Sequence, residues 1–188
     1  MIISAGVDGS VHVWKELDEK VCSLERESAL TQFTCVQVIK DHAASSVNCI
    51  AVLPQLLVTG SSSGLIRIYR LADEYALIQT LRISSFYPLV LALHERDEAL
   101  FLAIGGSSYH VHLYVSPCDL INFSPAAILK GHEDWVRGLS FTHSVSDIIL
   151  ASASQDRYVR LWKITPSVTS RSPPTDTDAL FVPLQVLC

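Results

Sequence analysis

Residues 148–162 read Ile148-Ile149-Leu150-Ala151-Ser152-Ala153-Ser154-Gln155-Asp156-Arg157-Tyr158-Val159-Arg160-Leu161-Trp162, two short apolar runs separated by small and polar residues. Val159 and Leu161 alternate with Arg160 and Trp162, a period of two that sets the polar side chain and the aromatic ring on one face of a strand. Ile148 to Ala151 is the strand before it, and the step from Ala153 to Tyr158 is the turn that joins them.

The same pattern recurs without a gap at three earlier aromatics, Trp14, Tyr69 and Tyr114, spaced 55, 45 and 48 residues along to Trp162. The first and third positions before each aromatic are apolar: Val13 and Val11, Ile68 and Ile66, Leu113 and Val111, Leu161 and Val159. Between them stands His12, Arg67, His112 or Arg160. Eight and nine positions back lie small pairs, Ala5-Gly6, Gly60-Ser61, Gly105-Gly106 and Ala153-Ser154. Further apolar runs separate the units: Cys35 to Ile39, Val47 to Val52, Leu89 to Leu93, Ala126 to Leu129 and Val136 to Phe141. Repetition at this period with several short strands per unit predicts radial β-sheets, the blades of a propeller.

The expected fold is therefore all-β, about four blades of four-stranded antiparallel sheets forming an incomplete arc of a seven-bladed propeller, within one domain over 1–188. The expected boundaries are a partial blade at 1–40 that begins on its second strand, a blade at 41–82, a degenerate blade at 83–130 and a blade at 131–188. The long connections 16–34 and 165–178 fall between the third and fourth strands of their blades. The second is Ser/Thr/Pro-rich and expected to be mobile, with residues 180–187 returning as an outer strand. An arc leaves blade faces uncovered, so a piece of a longer protein is the expectation.

The bulk properties exclude several classes. With 188 residues, 49% of them hydrophobic, the chain can bury a substantial core. Net charge is -5 and the basic residues are scattered, so no stripe is available to neutralise a nucleic-acid backbone and no direct nucleic-acid partner is expected. The five cysteines, Cys22, Cys35, Cys49, Cys118 and Cys188, contain no C-x-x-C pair and read as reduced, mostly buried thiols. The first residues lack a basic leader and no apolar run reaches the ~18 residues of a membrane span, so no membrane partner is expected. A cytoplasmic location is expected, with the nucleus as a second compartment.

Gly131-His132 followed by Ser152, Asp156 and Trp162 matches the signature of the WD-repeat family, and the resemblance implies a buried hydrogen-bonded chain of these four side chains. The donor inventory permits it: an indole only donates, a carboxylate only accepts, and imidazole and hydroxyl do both. The first unit repeats Ser4, Asp8 and Trp14 at these offsets, and the second offers His42, Thr59 and Tyr69 with Ser63 in the Asp position. The third carries Ile104 and Ser108 instead and is expected to hold its shape by packing.

Two enzyme-like patterns have structural readings. Ser152, His132 and Asp156 spell a hydrolase triad, but the set recurs in partial copies with a Trp that locks it. Gly60-Ser61-Ser62-Ser63-Gly64 fits a nucleophile elbow, yet a strand follows where a helix is needed. His110 and His112 share a strand face without a third ligand, so no metal is expected, and no cofactor motif is present. Catalysis is not expected. The candidate protein interface is one rim: Glu133, Asp134, Trp135 and Arg137 with Gln155, Arg157 and Tyr158.

The stretches Ser85 to Leu93, Leu102 to Ser108, Leu129 to Phe141 and Ser152 to Ile164 resemble the family of second subunits of the Elongator complex. The resemblance implies a scaffold for tRNA wobble-uridine modification with 5-carboxymethyl-type side chains. Its partners would be the large scaffolding subunit and a catalytic radical S-adenosylmethionine/acetyltransferase subunit. An adaptor in a ubiquitin ligase or a chromatin assembly is the alternative, because the fold alone supports many partners.

Overall fold

The computed structural model describes residues 1–16, 33–42, 45–143, 147–164 and 181–187. Among the described residues fifteen strands form four antiparallel sheets, and there is no helix. The first sheet holds β1 (Ile2–Ala5), β2 (Val11–Glu16) and β3 (Phe33–Ile39) in that order. The second holds β4 (Val47–Leu53), β5 (Leu56–Ser61), β6 (Leu65–Arg70) and β7 (Ala76–Arg82). β8 (Pro88–Arg96), β9 (Ala99–Gly106), β10 (Val111–Pro117) and β11 (Ser124–Leu129) make the third. The fourth comprises β12 (Val136–His143), β13 (Ile148–Ser154), β14 (Val159–Ile164) and β15 (Phe181–Leu187). Each sheet is a meander of neighbouring strands, as in a propeller blade.

The chain separates into two compact units, Met1–Val47 and Asn48–Cys188. The first is the three-stranded sheet with the loop that follows it. The second contains the three four-stranded sheets.

The alignment on four aromatics reappears as strand register. Ser4 faces His12, Thr59 faces Arg67, Ile104 faces His112 and Ser152 faces Arg160. The register between the last two strands slips at the aromatic in every sheet, at Val13/Trp14, Ile68/Tyr69, Leu113/Tyr114 and Leu161/Trp162. A bulge adds a residue on one strand and increases local twist, so four sheets with the bulge in one place are four copies of one design. The expected outer strand at 180–187 is β15. The segment 165–178 lies outside the described residues.

Two apolar cores organise the second unit. One joins the second and third sheets through Leu56, Val58, Ile66 and Ile68 against Leu91, Leu100, Leu102 and Ile104. The other joins the third and fourth through Phe101, Ala103, Val111 and Leu113 against Val136, Ile148, Leu150 and Trp162. β9 therefore sends alternate residues into opposite cores and is apolar throughout, because neither of its faces meets water. Leu100, Leu102 and Ile104 are all fully buried.

The thiols need a correction. Cys35 is exposed and Cys49 and Cys118 are only partly covered, whereas mostly buried thiols were expected. Cys35 lies on β3, an outer strand with every residue but Ile39 exposed, so an apolar-looking run there does not mark core. Cys49 fits the expectation better, since burial pushes its thiol up to about 12. Cys22 and Cys188 lie outside the described residues.

Candidate functional site

The fourth sheet assembles a polar chain from three places: the loop before β12, strand β13 and the turn that leads to β14. His132 Nδ1 meets Asp156 Oδ2 at 2.7 Å, His132 Nε2 meets Ser152 Oγ at 2.8 Å, and Trp162 Nε1 donates to Ser152 Oγ at 2.9 Å. The directions follow from the ends. The carboxylate can only accept, so Nδ1 carries the proton; Nε2 then accepts from the serine hydroxyl, whose oxygen takes the indole N–H. Burial of Asp156 alone would raise its carboxyl. The backbone N–H groups of Tyr158 and Glu133, with His132, outweigh that and hold it at about 2. Ser152 is fully buried. Its hydroxyl is bonded on both sides, a geometry that fixes three segments of the sheet together.

The other units depart from this set in ways that follow from their residues. In the first, Trp14 Nε1 donates to Ser4 Oγ at 2.9 Å, while Asp8 binds the Ser10 hydroxyl at 2.8 Å and its amide at 3.1 Å. The Ser10 hydroxyl first, then its amide, hold the Asp8 carboxyl below its ordinary value. Ser10 Oγ also lies 2.9 Å from His12 Nε2, and His12 stacks on Trp14 with centroids 5.8 Å apart. Ser10 and His12 were absent from the expected set; they stand two and four residues after Asp8, where the turn enters β2.

His42 is buried in the loop after β3, and Thr59 is fully buried on β5. Ser63, in the position of the missing Asp, contacts Ser61 Oγ at 2.8 Å within the turn that leads to strand β6. In the third sheet Ser108 makes a local turn bond, its hydroxyl donating to His110 O at 3.2 Å, and Ile104 sits in the apolar core. Burial, then His110, lowers the pKa of His112, which meets Phe86 edge-on at 5.3 Å. Among the described residues no group of three or more His, Cys, Asp or Glu is placed to hold a metal ion.

The rim residues gather where β12 and β14 begin and β13 ends. Gln155 N donates to Trp135 O at 2.9 Å and Ser154 Oγ to Asp134 O at 2.9 Å, which ties the loop before β12 to the turn after β13. Asp134 Oδ1 accepts from Trp135 N at 2.7 Å. Trp135 is 40% exposed and carries the Arg137 guanidinium 5.2 Å from its ring centroid. Tyr158 is 38% exposed with the Arg160 guanidinium at 5.9 Å. Glu133, Gln155 and Arg157 are exposed beside them, so all seven residues share one end of the sheet.

Repeated meander sheets with a polar chain from His132 to Trp162 are the architecture of WD-repeat propeller blades. The family model described as WD domain, G-beta repeat matches residues 33–70 and 123–163, in each case from an outer strand to the third strand of the next sheet. Within that class the chain is similar to Elongator complex protein 2. The protein of Saccharomyces cerevisiae is 34% identical over 174 residues, 87% of this chain and 21% of that one. That of Schizosaccharomyces pombe is 36% identical over 168 residues, 87% and 20% of the two chains. The human protein is 26% identical over 173 residues, 90% and 20%. The chain spans about a fifth of the length of the curated relatives it matches.

Proposed function

We propose that this chain is a non-catalytic scaffold segment of an Elongator complex, acting in the cytoplasm with the nucleus as a second compartment. It would help to hold the large subunit and the catalytic radical S-adenosylmethionine/acetyltransferase subunit together in support of wobble-uridine modification. The observation that carries this reading is similarity to Elongator complex protein 2 along 87% of the chain, on a fold whose polar chain is buried while its aromatic and Arg side chains face outward. A serine closed off by Trp162 supports a structural role for the triad-like set, since a nucleophile must meet its substrate. Trp, Tyr and Arg at an exposed rim are the usual anchors of protein interfaces.

Affinity capture of the tagged chain with quantitative mass spectrometry tests the reading. Recovery of the large and catalytic Elongator subunits is the expected result. Stable recovery of a ubiquitin-ligase or chromatin assembly without them would replace it with the adaptor alternative.

A further inference from the structure

We propose that His94 and His143 form an acid-sensitive latch between the third and fourth sheets, joining them while both imidazoles are neutral and destabilising their packing when either takes a proton. The latch belongs to the fold itself and operates whichever complex the chain joins.

β8 sends its side chains alternately to two neighbours. Leu91 and Leu93 join the core shared with the second sheet, and Val90 and Ala92 the core shared with the fourth. His94 continues the set that faces the fourth sheet. Its ring stacks on Phe141 of β12, with centroids 5.5 Å apart and planes 24° from parallel. His143, two residues further along β12, brings its ring to 5.5 Å from His94 at a tilt of 36°. Two imidazoles and a phenyl ring thus close the seam between β8 and β12 beyond Ala92.

This contact suits neutral rings. His94 Nε2 is buried and has no hydrogen-bond partner among the described residues. A neutral imidazole can leave that nitrogen without a proton, whereas the imidazolium carries N–H on both nitrogens. Protonation therefore places an unpaired donor and a charge in an enclosed spot. Burial first, then His143 and Arg96, push the His94 pKa below its ordinary 6.5.

No carboxylate pairs with either ring. On the same strand Glu95 turns to the second sheet, where it accepts from Gln55 Nε2 at 2.7 Å and from the Cys118 thiol at 3.8 Å. Glu98 and Asp119 act on Cys118 as well. Arg96 Nε lies 3.1 Å from Asp97 Oδ2. The strands β5, β9 and β13 bring no titratable side chain, and β12 adds only Arg137 near its far end. Asp147, at the start of β13, lies 2.9 Å from Lys163. These carboxylates keep their charge, yet among the described residues none reaches ion-pair distance of His94 or His143. Every influence on the His94 pKa lowers it.

Because the folded value lies below the unfolded one, the unfolded chain takes up the proton first. Stability is complete above pH 6.5 and is withdrawn as pH falls below it, far above the value of about 2 at which Asp156 titrates.

NMR titration of the His94 ring in the full chain tests this, together with urea unfolding at about pH 7.5 and about pH 5.5. His94 should titrate below 6.5, and His143→Gln should move its midpoint upward by removing a like charge. A histidine with an unfolded value of 6.5 can raise the unfolding constant by at most about tenfold at about pH 5.5. His94→Phe keeps a ring on Phe141 and cannot take a proton. Over this interval the unfolding constant of the native chain should rise at least about threefold more than that of His94→Phe. The other histidines contribute equally to both chains and cancel in the comparison. A His94 midpoint at or above 6.5, a midpoint that His143→Gln leaves in place, or equal pH dependence in the native chain and His94→Phe would overturn the latch. The native-chain titration needs no variant, so it decides the matter even where His94→Phe does not fold.

Discussion

Asp156 decides how the fourth sheet responds to acid. Its carboxyl is held at about 2 against an ordinary 3.8, so its contribution is complete above about pH 4 and disappears as pH falls through about 2. The shift corresponds to about 2 kcal/mol. Asp156→Asn should cost about that much at neutral pH, and urea titrations of the two proteins should converge as pH falls toward 2; a gap that stays constant down to pH 2 would contradict the assignment. The members of this chain came from the resemblance of His132, Ser152, Asp156 and Trp162 to the WD-repeat signature, which their complementary donors and acceptors permit. The partner of Asp8 was not. An open carboxylate takes the nearest donor, and nothing in the spacing of Ser4, Asp8 and Trp14 announced Ser10. Nor did the spacing reveal the exposure of Cys35, for strand alternation describes direction and does not say whether anything packs there.

The strand that bears most on the second unit is β9, which lacks the polar chain and sits between two cores. Leu102→Ala removes a fully buried side chain from the core it shares with Leu56 and Ile68, and should destabilise by about 3 kcal/mol in chemical denaturation. Loss of less than about 1 kcal/mol would show that the third sheet does not depend on this packing. Middle strands such as β5 and β9 could be read from their apolar runs because both of their faces are buried. The outer strand β7, Ala76–Arg82, was missing from that reading; its residues are exposed or only half-buried, so burial has left little imprint on Ala76-Leu77-Ile78-Gln79-Thr80-Leu81-Arg82. The bulge at each aromatic is likewise invisible in sequence, since it is a property of pairing between strands.

At the scale of the molecule, the groups that hold the sheets are distinct from those proposed to meet other proteins. Buried side chains of the fourth sheet fix its turns, and the side chains those turns leave outside form the rim. The most direct test compares two variants for thermal midpoint and for recovery of Elongator subunits per folded molecule. Ser152→Ala strands the bonds of His132 and Trp162 and should lower stability by about 1–3 kcal/mol while folded molecules still recover the subunits. Arg137→Gln/Arg157→Gly should hold its midpoint and lose them. Unchanged stability with lost recovery in Ser152→Ala, or full recovery by the rim variant, would contradict the account.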